Sequence, residues 1–201
     1  MNMSTMKILG VKKTSIALGL LGSSLLAVPA VNAADYVIDT SGAHASINFK
    51  IQHLGYSWLT GRFNNFEGNF TFDDKNIENS AINVKIDTTS LDSNHAERDK
   101  HLRSDDFLAT GEYPTATFVS KSIKQVGDKL EVTGDFTFRG VTNTLVIDAQ
   151  KIGEGEDPWG GYRAGFAGET SFSLADYGIE YNLGPASEEV YLSLHIEGVK
   201  K

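Results

Sequence analysis

The chain is predicted to be all-β, an antiparallel up-and-down barrel of about eight strands with one short helical insert near its mouth. Three observations carry that expectation. Apolar and polar residues alternate through most of the chain, short turn signals separate the alternating runs, and one charge-dense stretch breaks the pattern. A two-sheet sandwich shares the first two features. Short hairpin loops and an inward parity rich in Phe favour the closed barrel, which at about eight strands is either filled by side chains or holds one elongated ligand.

The chain opens with a segment unlike the rest. Lys7, Lys12 and Lys13 form a basic region, Ile16 to Val28 an apolar one, and Val31-Asn32-Ala33 a small-residue cleavage site. This reads as a secretory signal peptide over residues 1–33, cut between Ala33 and Ala34, with one domain over 34–201 in the periplasm. The apolar run is short for a span and no stop-transfer pattern follows, so no stable membrane insertion is expected. Cleavage removes three lysines and no acid, so Lys plus Arg falls from 18 to 15 against 26 acidic residues, a net charge of −11. Such a surface excludes nucleic acid as a partner, because phosphate affinity needs clustered Lys and Arg. The chain has no Cys, which excludes disulfides, thiolate catalysis and zinc–thiolate sites.

The strands follow in order. Ile47, Phe49 and Ile51 share one parity, as do Phe66, Phe70 and Phe72, then Ile82, Val84 and Ile86. After the insert come Leu130, Val132, Phe136 and Phe138, then Leu145, Ile147 and Ala149, then Tyr162, Ala164, Phe166, Phe172 and Leu174, and finally Val190, Leu192, Leu194 and Ile196. Turn signals stand at Asp73–Asn76, Gly127-Asp128, Arg139-Gly140 and Asp157–Gly161. The insert runs from Asn94 to Phe118. Asn94 suits a helix N-cap with Glu97 three residues on, and Ser104 suits a second cap before Asp105 and Asp106. Ala96 and Leu102 are the only apolar residues between His95 and Arg103, so this helix belongs at a rim, anchored by Phe107 and Leu108. Tyr113-Pro114 then launches a strand.

No motif for catalysis stands out. The chain lacks a G-x-S-x-G elbow, an H-E-x-x-H pair and a phosphate-binding glycine loop, and Gly153-Glu154-Gly155 reads as part of a hairpin with no helix after it. The expectation is therefore no enzyme, no catalytic residue and no cofactor. His95 with Asp99 and Glu97 with His101 are i, i+4 pairs that could hold a metal, yet such pairs arise by chance in a helix this charged, and no metal is expected.

Several separated blocks resemble the YceI-like family in order: Ala34-Asp35-Tyr36 through Ile51-Gln52-His53-Leu54-Gly55, Asn94 to Arg103 with Phe107, Tyr113 to Phe118, Gly134 to Thr142, and Asp157 to Gly161 with Arg163 to Phe166. The resemblance implies a lipocalin-like barrel, a secreted or periplasmic location and an interior that takes a long isoprenoid, an isoprenoid quinone or another fatty chain. Parity then makes Phe49, Ile51, Phe70, Phe72, Phe118, Phe136, Phe138, Phe166 and Phe172 the candidate lumen. Leu54, Trp58, Leu102, Phe107 and Leu108 are entrance candidates, and His53, His95, Arg98, His101 and Arg103 head-group candidates, with Trp159 and Arg163 near a hairpin. About ten buried methylenes at ~0.8 kcal/mol each supply the ~8 kcal/mol of a micromolar complex, so the polar groups orient the ligand more than they hold it. Alternatives remain: a solid-core stress or interaction protein whose rim helix is the contact surface, a metal-binding protein, or a lipid-modifying enzyme. The resemblance is compatible with a homodimer, and the sequence leaves the oligomeric state open.

Overall fold

The computed structural model describes Met1, residues 33–181 and residues 183–201. The expected leader, apart from Met1 and Ala33, lies outside the described residues. Eleven strands and one helix follow in order: β1 (Ala34–Ile38), β2 (Ser46–His53), β3 (Ser57–Phe63), β4 (Phe66–Phe72), β5 (Ala81–Asp87), β6 (Leu91–Asp92), α1 (Ala96–Leu102), β7 (Thr115–Val126), β8 (Lys129–Phe138), β9 (Val141–Glu156), β10 (Tyr162–Ser173) and β11 (Glu189–Lys200).

All pairings among them are antiparallel, and they close a ring. β1 pairs with β4, β4 with β5, β5 with β7, each later strand with the next, and β11 returns to β1. That ring has eight strands, as the alternation predicts. The remaining three prolong it toward the mouth, for β11 pairs with β2 along Val190–His195, β2 with β3, and β3 with β6. β1, β3 and β6 lie outside the expected strands, and breaks stand between β1 and β2, β3 and β4, and β5 and β6. At the last break Thr88 N donates to the Pro114 carbonyl and Thr88 Oγ1 to that of Tyr113, which closes the wall where no ladder does.

Pleating sends alternate side chains inward, so β8 reads as a strict alternation of buried and half-buried residues. Phe118, Phe136, Phe138 and Phe172 fall in the largest buried apolar cluster, while Phe70 and Phe72 form a second one with Tyr36, Ile38, Ala45 and Ala164. Three Phe rings crowd glycines of the wall: Phe49 at Gly61, Phe70 at Gly198 and Phe118 at Gly134, where an added Cβ would stand within 2.5 Å of the ring. A side chain at those glycines would force the rings to move. The glycines thus make room for the rings.

The expected hairpin forms between β9 and β10. Gly153-Glu154-Gly155 is part of its first strand, with Gly153 opposite Gly165 and Gly155 opposite Arg163. Its turn stands at Asp157–Gly161, where Asp157 accepts from the backbone of Trp159 and Gly161. Glycine lowers strand propensity, but the ladder with β10 overrides it.

Candidate functional site

Two cavities lie along the barrel axis. The inner one, about 120 Å³, is bounded by side chains that include Phe70, Phe72, Ile82, Val84, Phe118, Ile123, Leu130, Val132, Ile147, Ala149, Phe166 and Leu194. The outer one, about 310 Å³, reaches the mouth and is bounded by Phe49, Ile51, Leu59, Phe63, Leu91, Leu102, Phe107, Leu108, Phe138, Phe172, Leu174, Leu183 and Val190, with His53, Arg98, His101 and Tyr181 as its polar members. Ile47, Ile86, Phe136 and Leu192 border both. These four form a waist between an apolar inner lobe and a mouth lobe with polar groups at one end.

The mouth is built by α1 and by the loop from Leu174 to Glu188. His95, not Asn94, caps α1: its Nδ1 accepts from Arg98 N at 3.2 Å, and its extended backbone suits the position. Asn94 instead takes a left-handed φ of 62°, which Asn tolerates, and this excludes it as the cap. The expected second helical turn at Ser104 is a run of turns, with Phe107 N and Ala109 N both donating to the Ser104 carbonyl. Inside α1, Asp99 is buried and accepts from Ser93 N and Ser93 Oγ, while Arg98 donates from Nε to Ser93 Oγ and from Nη2 to the Ser93 carbonyl. That network fixes Arg98 at the cavity and leaves its Nη1 outside the Ser93 contacts.

His101, Phe107 and Tyr181 pack as three mutually touching rings, with centroids 4.8 to 5.2 Å apart. Two segments distant in sequence therefore meet over the opening. His101 Nε2 also lies 3.0 Å from Asp106 Oδ2. Deeper in, Tyr177 packs against Phe136, Phe138 and Phe172, and burial pushes its phenol pKa up.

All nine candidate lumen residues border one of the two cavities. Among the entrance candidates, Leu102, Phe107 and Leu108 border the outer lobe. Leu54 and Trp58 do not. The register pairs Ile51 with Leu59 and Gln52 with Trp58, so Leu59 faces inward and Trp58 outward, edge-on to Tyr191 at 5.6 Å. Leu54 sits at the exposed tip of the β2–β3 hairpin. Among the head-group candidates, His53, Arg98 and His101 reach the cavity, whereas His95 is spent on its cap. Arg103 bonds to the carbonyls of Thr89 and Leu91 and ties the insert to the wall. Sequence reasoning missed Leu59, Phe63, Leu91, Tyr181 and Leu183, whereas Leu174 shares the inward parity of Phe172. For Tyr181 and Leu183 the signal was a cluster of apolar residues around Gly178 and Gly184, without a period.

A model of the YceI-like domain matches residues 36–198. The chain belongs to the YceI-like family. A UPF0312 protein of Shewanella sp. strain ANA-3 is 57% identical over 190 residues, covering 94% of this chain and all of that protein. Among solved structures, the Campylobacter jejuni YCEI protein superposes with a TM-score of 0.68 at 28% identity, over 76% of this chain and 91% of that one. A Saccharophagus degradans domain described as polyisoprenoid-binding and implicated in plant cell wall breakdown superposes with a TM-score of 0.61 at 18% identity, over 85% of this chain and all of that one. That likeness concerns the fold.

At the far end of this YceI-like barrel, Arg163 joins three segments. Its Nη1 lies 2.6 Å from Asp39 Oδ2 and 2.7 Å from Glu197 Oε1, its Nε 2.8 Å from Asp157 Oδ2, and Trp159 covers its face at 5.6 Å. Asp39, Glu197 and His44 also bring potential metal ligands within 4.8 Å of one another, but the Arg163 guanidinium already bonds both carboxylates. Arg163, then the Gly42 N–H, holds the Asp39 carboxyl well below the usual range, and the Gly161 N–H and Arg163 hold Asp157 below it too. Carboxyls with lowered folded pKa values add stability that is complete above the unfolded value of about 4 and is lost as pH falls further. Arg163→Met is expected to lower the urea midpoint at pH 7 and to differ progressively less from the parent as pH drops below about 4. A deficit that stays constant over that range would contradict the assignment.

Proposed function

We propose that this chain is a periplasmic carrier that holds a long-chain isoprenoid, its tail in the inner lobe and its head at the mouth. The observation that carries the reading is the two-lobed lumen: an apolar lobe, four shared residues, and a second lobe whose polar members are His53, Arg98, His101 and Tyr181. A solid core would leave no such space. Concave, mostly apolar sites of about 300 Å³ or more with a few placed polar groups are the usual geometry for small-ligand binding. The polyisoprenoid-binding description of the Saccharophagus relative and the leader read from the sequence support the cargo class and the compartment.

The site favours binding over catalysis. No carboxylate, serine or threonine is among the described residues that border the mouth lobe, and the Asp106 carboxylate beside His101 lies outside it. The polar groups also favour a neutral head such as a quinone. One arginine tied to Ser93 and two histidines offer single donors to carbonyls, whereas a pyrophosphate calls for forked contacts from several cations.

Titration of the delipidated protein with a long-chain isoprenoid quinone and with a polyprenyl pyrophosphate tests this. The quinone is expected to bind more tightly, and Arg98→Met to weaken it about threefold to tenfold, the worth of one hydrogen bond. The opposite order would overturn the neutral head, and no binding of either lipid would overturn the carrier.

A further inference from the structure

The β2–β3 hairpin carries an exposed group that the lumen does not use. Tyr56 is 86% exposed, Leu54 49%, Trp58 47% and Tyr191 40%. Lys50 Nζ lies 4.9 Å from the Trp58 ring and 5.7 Å from that of Tyr191, and the register sets Lys50 directly opposite Tyr191 on the outer face of the wall. Leu54 holds a left-handed φ of 52°, where Asn or Gly would sit with less strain. Leu54 is thus a half-exposed leucine at a left-handed position of the tip.

We infer that this hairpin is a docking surface for a zwitterionic phospholipid bilayer. Three features select that occupant. Trp and Tyr with an apolar body and a polar edge are the side chains that settle at the headgroup level, and a tip leucine can enter the acyl boundary. Lys50, with its stem along the rings, can reach a lipid phosphate. The chain's net charge of −8 disfavours strongly anionic surfaces, so the attraction is interfacial more than electrostatic. The surface is also continuous with the mouth: His53 and Leu59 border the outer lobe while Leu54 and Trp58, their neighbours in sequence, stand outside it. Leu54 N donates to Ser187 Oγ and Ser187 Oγ to the Gln52 carbonyl, which anchors the tip to the mouth loop. A barrel resting on this hairpin would present its opening to the membrane. The purpose of such docking rests on the lipid-carrier reading, but the docking itself does not need a cargo.

The test is flotation of the protein on vesicles of phosphatidylethanolamine and phosphatidylcholine in a density gradient, with the melting temperature and the quinone titration run alongside. Leu54→Asn relieves the backbone and Tyr56→Ser removes only an exposed ring, so the double variant should keep its melting temperature and its quinone binding. It should lose about tenfold or more in vesicle partitioning. Wild type that stays at the bottom, or a double variant that floats equally well, would overturn the proposal. So would a wild type that fails to float and instead dimerises through Trp58 and Tyr191. Flotation with no quinone binding would keep the docking surface and remove the cargo reading, whereas binding without flotation would do the reverse.

Discussion

Phe136→Ala is expected to lower stability by about 3–5 kcal/mol, the range for removing a buried aromatic side chain. Phe136 is buried, borders both cavities and holds Phe138, Phe172 and Tyr177 with ring centroids 5.5 to 5.6 Å away. Its loss removes ring contacts and widens a space that is already open, so neighbouring side chains have little to collapse onto. With an m value of about 2 kcal/mol/M in urea, the midpoint should fall by about 2 M. The same reasoning gives a second reading of the variant. A ligand that binds only the folded state, at about 100 times its Kd, restores about 2.7 kcal/mol. Excess isoprenoid quinone should therefore recover much of the lost midpoint if the widened lumen still holds the chain. A small loss on substitution, below about 1 kcal/mol, would show that the waist is not packed as described.

Gly134→Val is expected to be damaging for a different reason. A Cβ at Gly134 would stand 2.5 Å from Phe118 Cζ and 2.6 Å from the Val119 carbonyl oxygen. The ring would have to move, and Val119 is held in the β7–β8 ladder opposite Asp135. Overpacking of this kind costs about 1–3 kcal/mol, and the displaced ring would also occupy inner-lobe space. The variant should be less stable and should carry less lipid. Unchanged stability and unchanged loading would refute the view that Gly134 makes room for the Phe118 ring.

Much of the barrel could be read because alternation is a local property. A strand must send every second residue inward, so Phe49, Phe70, Phe118, Phe136 and Phe172 announce the inward face by parity alone, while an open lumen was implied by the family resemblance. Trp58 could have been placed by the same rule, since it is out of step with Leu59 once Ile51 is taken as inward. The mouth was less legible. His95 takes the cap from Asn94 because a left-handed backbone at Asn94 shifts the helix start by one residue, a choice that propensities do not separate. Arg103 and Arg98 look alike in sequence, yet one ties the insert to the wall and the other borders the cavity, because their carbonyl and hydroxyl partners come from different segments. Tyr181 and Leu183 were missed because the Leu174–Glu188 loop has no period, and its role comes from a ring stack with His101 and Phe107 far earlier in the chain.

Mass spectrometry of an organic extract shows whether the two lobes hold a lipid. The protein is purified without detergent from the cells that make it, with Gly134→Val prepared in parallel. The expected result is one long-chain isoprenoid per wild-type molecule and markedly less in the folded variant. A folded wild-type protein whose extract contains no lipid would contradict the claim.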